Sequence, residues 1–256
     1  RDAFTKKAID DGYRKDFLIR TGLSIEHEER VFDRFSGRVI FPIHSLSGQV
    51  LGFGGRVLKT DAKTAKYLNS PESEIYHKSR ILYGIFQARK AITQEEKVYL
   101  VEGYTDVIQA HQHGWDNVVA PMGTSLTEHH ASALARITRN IYLALDGDEA
   151  GRAAAMKTVK ETTGRFRDAF GQRTVVELGP RGRQSFRSVL DADIRIIVLP
   201  PGRDPDEVIA QDAEAWQRHV DNALPYVDFY VDTLVRTADV STARGKRDVI
   251  AACEPI

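Results

Sequence analysis

Cysteine is almost missing from this chain: 256 residues contain one, Cys253, beside two methionines and two tryptophans. A single cysteine excludes an internal disulfide and any zinc site built on several thiolates, and no Cys/His cluster has zinc-ligand spacing. No apolar run approaches the roughly 20 residues that a membrane-spanning helix needs. The first residues lack the basic, apolar, small-residue pattern of a secretory signal. These absences point to a cytoplasmic protein with no membrane partner. Internal repeats are absent as well, and so is net charge, with 36 Lys and Arg against 36 Asp and Glu. At 42% hydrophobic and 28% charged, the chain suits one large globular domain or two small ones.

The zero net charge hides an uneven distribution. Residues 1–90 hold 17 basic and 11 acidic side chains, whereas residues 91–256 hold 19 and 25. A basic part beside an acidic one suits a polyanion held near cations. Chance asymmetry among solvated side chains is the alternative from charge alone.

The strongest local signal is Asp146-Gly147-Asp148, directly after the apolar run at 141–145 and before a helical pattern at 149–156. In an open α/β sheet that junction is the carboxyl edge of the strands, where ligands bind. Two carboxylates two positions apart repel each other unless a hard divalent cation, Mg²⁺ or Mn²⁺, lies between them. An earlier strand pattern at 97–101 ends at Glu102-Gly103, and Asp106 lies in the first turn of the helix that follows. A third strand at 117–122 breaks at Gly123-Thr124-Ser125, where Ser125 and Glu128 predict a capping box. All three polar ends belong on one edge of one parallel sheet.

Elsewhere, residues 1–35 read as helical with a break at Thr21-Gly22. Residues 38–43 and 50–53 read as a hairpin around Ser47-Gly48. No helix opens after Gly52, Gly54 and Gly55, so they read as close packing or a bulge rather than a phosphate loop. Residues 60–80 look irregular, and a helix is expected at about 80–93. The arginine-rich stretch 161–193 contains 174–178 and 186–190, which could pair as an inserted hairpin: surface decoration, or an extra nucleic-acid contact. A strand at 194–199, a helix begun by Asp204-Pro205 and helical residues 222–256 complete the chain. His111, His113, His129 and His130 read as surface histidines away from the acidic edge.

Together these segments resemble the catalytic core of bacterial DnaG-type primases. The resemblance rests on 38–43, Gly52-Phe53-Gly54-Gly55-Arg56, Lys66-Tyr67-Leu68-Asn69-Ser70-Pro71-Glu72, His77-Lys78 and Leu82-Tyr83-Gly84. It continues through Glu102-Gly103-Tyr104-Thr105-Asp106, Gly123-Thr124-Ser125, Asp146-Gly147-Asp148-Glu149-Ala150-Gly151-Arg152 and Asp204-Pro205-Asp206. The Glu and Asp-x-Asp motifs alone mark the wider Toprim superfamily, and the Lys-Tyr-Leu-Asn-Ser-Pro segment points to primase.

The resemblance implies an α/β fold, α+β overall. Residues 1–93 would be a mixed, basic N-terminal subdomain and 94–221 a Toprim α/β fold with a parallel sheet and an insertion at 161–193. Residues 222–256 would start a helical subdomain. The chain is expected to be a fragment, begun part-way into the first subdomain and lacking the family's zinc-binding and helicase-binding domains. The implied activity is RNA primer synthesis on single-stranded DNA from ribonucleoside triphosphates, with two or more Mg²⁺ or Mn²⁺ ions and no zinc. Partners would be template, nucleotides, RNA primer and, through a domain absent here, the replicative helicase.

Glu102, Asp146 and Asp148 are the expected catalytic acids. Asp106, Asp204 and Asp206 join them as metal-ligand candidates; Asp204 is also a helix-start acid, so Asp206 ranks above it as a direct ligand. Arg38, Arg56, Lys66, Tyr67, Asn69 and Lys78 are expected to line the nucleotide and template surface, lysines as phosphate-binding charges and Tyr67 as a stacking face. Capping and solvation are the competing readings for the acids, and ordinary surface for the basic group. A topoisomerase, a nuclease of the same superfamily and a weakly catalytic single-strand-binding module remain alternatives. A receiver-type domain would leave the basic first 90 residues unexplained.

Overall fold

The computed structural model describes residues 2–28, 30–58, 65–123, 125–145, 156, 161, 164–178 and 184–253. Thr124, Asp146 and Asp148 lie outside the described residues.

The chain opens with two short helices, Ala3–Asp10 and Lys15–Arg20. The helical reading then fails. β1 (Ser24–His27) and β2 (Arg30–Asp33) form an antiparallel hairpin. Gly22, at φ +70°, ends the preceding helix. The hairpin is held by a contact that local propensity does not contain: the Asp33 carboxylate accepts from the backbone N–H of Phe4 (3.1 Å) and Thr5 (2.8 Å).

β3 (Arg38–His44) and β4 (Val50–Val57) form the expected hairpin, with an irregular register between Ile43 and His44. Residues 66–70 are not irregular: β5 (Tyr67–Asn69) adds a third antiparallel strand to β4. The glycines of β4 mark close packing. A Cβ on Gly55 would stand 2.8 Å from the Phe35 ring, and one on Gly52 2.9 Å from the Tyr76 ring.

The expected helix start near 80 also shifts. Residues 78–80 form a 3₁₀ turn, β6 (Leu82–Tyr83) is an edge strand, and the helix runs Ile85–Glu95. Gly84, at φ +82°, makes the corner between them.

The main sheet follows. β7 (Lys97–Leu100), β8 (Val118–Pro121), β9 (Asn140–Leu145) and β12 (Asp193–Val198) are parallel, in the order β12-β9-β7-β8. β6 and β13 (Leu224–Pro225) flank them as antiparallel edges. Strands covered on both faces read as near-continuous apolar runs, and Val98, Tyr99, Val118, Val119, Ala120, Ile141, Ile196 and Ile197 are all buried. Separate apolar clusters fill the two faces. A third, Ile43, Tyr76, Ile81, Tyr104 and Met122, ties the N-terminal sheet to the parallel one.

Helix Glu128–Ala135 is capped by Thr127, not Ser125. Thr127 Oγ1 accepts from the His130 N–H, and His130 Nδ1 accepts from the Thr127 N–H, each at 3.2 Å. His130 is therefore a buried capping residue rather than a surface histidine. Between β9 and β12, β10 (Gln172–Leu178) and β11 (Gln184–Leu190) pair antiparallel in a sheet of their own. Helices Pro205–Gln211, Ala213–Asp221, Tyr226–Thr237 and Ala243–Cys253 end the chain. Among the described residues no helix is long and apolar enough to cross a membrane.

Candidate active-site cleft

The carboxyl ends of β7, β8, β9 and β12 face one way because the strands are parallel. Next to that edge lies a cleft of about 530 Å³. One wall is acidic and comes from the sheet: Glu102 after β7, Asp106 in the first turn of helix Tyr104–Gln112, and Asp204, Asp206 and Glu207 at the start of helix Pro205–Gln211. The other wall is basic and aromatic and comes from the N-terminal sheet: Arg56 on β4, with Lys66, Tyr67 and Asn69 on and beside β5.

Asp106 is almost fully buried at the base of this arrangement. Its Oδ2 accepts from the Gly103 N–H at 2.9 Å, and its Oδ1 from the Asp206 N–H at 3.3 Å. Burial pushes its pKa up to about 6; the charges of Asp206 and Asp204 add to the rise, and the two N–H donors oppose it. Glu102 and Asp204 are exposed and Asp206 is half-buried. Asp204 is the N-cap residue of its helix, but its side chain makes no capping hydrogen bond.

Tyr104 joins the two walls. Its ring packs against Phe41 (5.2 Å), Tyr67 (5.2 Å, edge-on) and Tyr83 (5.5 Å). Its hydroxyl donates to Asn69 Oδ1 at 3.4 Å, and burial raises its pKa to about 12. The Arg56 guanidinium and the Lys66 ammonium lie 5.8 and 5.6 Å from the centre of the Tyr67 ring, within cation–π reach. This places two cations and an exposed aromatic ring opposite the acids.

Two basic candidates stand apart from the cleft lining. Arg38 braces the N-terminal sheet, donating to the carbonyls of Gly55 (3.3 Å) and Lys66 (3.4 Å). Lys78 lies on the 3₁₀ turn, its N–H bound to Glu72 and its carbonyl facing His130 Nε2 at 3.1 Å. Conversely, Tyr104, Arg203 and Glu207 line the cleft but were not expected site residues. Their signal was adjacency: Tyr104 follows Glu102-Gly103, and Arg203 and Glu207 bracket Asp204-Pro205-Asp206.

Among the described residues no three His, Cys, Asp or Glu side chains stand close enough to enclose one metal ion. The acids of the cleft still have the donor chemistry of a hard cation, since all offer oxygen and no His or Cys lines the wall among the described residues.

Residues 1–89 match the family model of the DNA primase catalytic core, N-terminal domain, and residues 96–169 match that of the Toprim domain. A DNA primase of Escherichia coli K12 is 36% identical over 241 residues, which are 93% of this chain and 37% of that protein. The chain thus spans little more than a third of that relative's length. A solved structure of the DnaG primase catalytic domain bound to single-stranded DNA superposes with a TM-score of 0.79 at 33% identity, covering 99% of this chain and 75% of the other. The RNA polymerase domain of Mycobacterium tuberculosis primase DnaG, solved with a double-stranded DNA oligomer carrying a 6-nucleotide overhang, gives 0.75 at 30%, covering 99% and 74%. The β10–β11 hairpin begins beyond the residues matched by the Toprim model.

Proposed function

The chain belongs to the DnaG-type DNA primase family, and from that premise we propose that it is a primase catalytic core that makes RNA primers on single-stranded DNA. In this reaction a 3′-hydroxyl attacks the α-phosphate of a ribonucleoside triphosphate and pyrophosphate leaves. The transition state spreads negative charge over phosphate oxygens, so positioning and cations supply most of the catalysis. The observation that carries the reading is the single cleft in which Glu102, Asp106, Asp204 and Asp206 face Arg56, Lys66, Tyr67 and Asn69.

Toprim and primase cores depend on divalent metal, and here we assign Mg²⁺ or Mn²⁺ to the acidic wall, with Glu102, Asp146, Asp148 and Asp206 as ligands and Asp204 beside them. When bound, the ions would neutralise charge on the reacting phosphates. The chain's own groups do the rest. Lys66 and Arg56 hold phosphates, and Tyr67 offers a stacking face to a base. Glu102 ligates or takes the proton of the attacking hydroxyl, and Asp106 fixes the two acidic loops against each other. The template is held through its backbone, with Arg38 and Lys78 extending the basic track. Template, nucleotides and RNA primer are thus the substrates, the cytoplasm the place of action, and the replicative helicase the recruiting partner of the whole protein.

The test is incorporation of labelled ribonucleotides on single-stranded template with Mg²⁺ or Mn²⁺. Asp146→Ala and Asp148→Ala should each lose more than about 100-fold, beyond the roughly 10–100-fold typical of groups that only support a ligand. Cleavage of DNA without incorporation would assign a nuclease instead. Near-normal synthesis by either variant would remove the metal assignment.

A further inference from the structure

No described residue of the β10–β11 hairpin lines the cleft. It leaves the sheet after residues 164–170, which are helical, and returns just before β12. Its base therefore sits at the amino edge of the parallel strands, roughly 20 Å from the acidic edge for a strand of six residues. The two ends are closed by the Asp191 N–H donating to the Gly171 carbonyl at 3.1 Å. Neither strand pairs with any other strand among the described residues.

The face of this ribbon is unusual. Val176 and Phe186 are directly opposed across the strands, and they are 50% and 70% exposed. The next pair on the same face is Thr174 with Ser188, both exposed, and the Ser188 hydroxyl donates to Gln172. One aromatic ring therefore stands in water, opposite Val176 and one pair away from Thr174 and Ser188. Arg173 alternates onto the other face and is exposed. Residues 172–190 hold four arginines and one glutamate, within a half of the chain that is otherwise acidic.

Size decides between occupants. Two seven-residue strands present a face of roughly 24 Å by 10 Å, about 240 Å². A stable protein interface needs about 800 Å² per partner with a contiguous apolar centre. A single-stranded nucleic acid needs only a ring for one base and cations for its phosphates, and stacking on one aromatic is tolerant of sequence. We propose that the β10–β11 hairpin is a second single-strand contact, in which Phe186 stacks a base and the exposed Arg173 attracts the phosphate backbone. It rests on the nucleic-acid reading of the cleft and adds an anchor remote from it.

The experiment is fluorescence anisotropy of a labelled thirty-nucleotide oligo-dT with three proteins: the wild type, Phe186→Ala, and a variant with residues 172–190 replaced by Gly-Ser. The ends of that excision already meet through a hydrogen bond, and thermal melting checks that each variant folds. Phe186→Ala should weaken binding about fivefold or more, as loss of one stacked base does, and the excision at least as much. Binding by both variants within twofold of the wild type would overturn the hairpin assignment while leaving the cleft reading intact. A wild-type dimer that Phe186→Ala dissociates, with oligo-dT binding unchanged, would overturn it in favour of self-contact. Failure of the wild type to bind oligo-dT would instead bring down the nucleic-acid reading itself, and the hairpin assignment with it.

Discussion

Asp106 accepts a hydrogen bond from the backbone N–H of Asp206 across one hundred residues of sequence, at 3.3 Å. Its other oxygen holds the Gly103 N–H beside Glu102. One buried carboxylate thus fixes two acid-bearing loops against each other. Asp106→Ala leaves both donors without that acceptor, and each unsatisfied buried group costs about 1–3 kcal/mol. Loss of nucleotide incorporation is expected, with a fall in urea stability from the two lost hydrogen bonds that relief of a buried charge of raised pKa offsets in part above pH 4. Asp106→Asn keeps one carbonyl acceptor and should fall between. A direct ligand with no bracing role would instead lose activity at unchanged stability.

His130 sets a pH dependence of folding. Burial pushes its pKa down to about 4 from 6.5, with Nδ1 accepting from Thr127 and Nε2 facing the Lys78 carbonyl. The folded state therefore prefers the neutral ring. Its contribution is present above the unfolded pKa near 6.5 and is lost as pH falls from there towards 4. The loss is about 3 kcal/mol over that window. Urea midpoints measured from pH 7 to 4 should drop for the wild type, and drop less for His130→Gln, which cannot titrate.

Much of this was readable before any coordinates. Strands β7, β8, β9 and β12 are apolar runs, the first three leading into Gly or acid and the last into Pro200-Pro201-Gly202, and a parallel sheet buried on both faces makes such runs unambiguous. The acids after β7 and at the start of helix Pro205–Gln211 follow from the same pattern, because parallel strands put their polar ends on one edge. What escaped depends on distant partners. β1 and β2 are held by Asp33 across to the amides of Phe4 and Thr5, and β5 exists because β4 offers it an edge. His130 reads as an exposed helix residue until the Lys78 turn is seen to cover it. Tyr104 escaped as a site residue because its importance lies in three rings from separate segments.

Tyr104 should therefore matter more for its ring than for its hydroxyl. The hydroxyl bond to Asn69 is long, at 3.4 Å, and a bond of that length contributes little. Tyr104→Phe should cost less than about 1 kcal/mol. Tyr104→Ala removes a buried aromatic that touches Phe41, Tyr67 and Tyr83, and should cost about 3 kcal/mol or more. It also frees Tyr67 from its edge-on support, so nucleotide affinity should fall in Tyr104→Ala and hold in Tyr104→Phe. Equal affinity loss in the two variants would place the role in the hydroxyl.

Lys66 and Lys78 share a basic segment in sequence and separate in space. Lys66 lines the cleft, its ammonium over Tyr67, whereas Lys78 lies outside that lining, on the turn beneath His130. Single-strand binding by a cationic surface weakens with salt through counterion release, with a log–log slope of roughly 0.7 for each phosphate neutralised. Lys66→Ala should lower the slope by about that amount and also reduce incorporation, because the same charge faces the acids. Lys78→Ala should lower the slope with little effect on extension of a supplied primer, since its charge can reach only a strand that continues past the cleft. Salt titrations of oligo-dT binding, run beside primer extension, separate the two. An unchanged slope in Lys78→Ala would confine the basic track to the cleft, and an unchanged slope in Lys66→Ala would assign that lysine to the nucleotide rather than to the template.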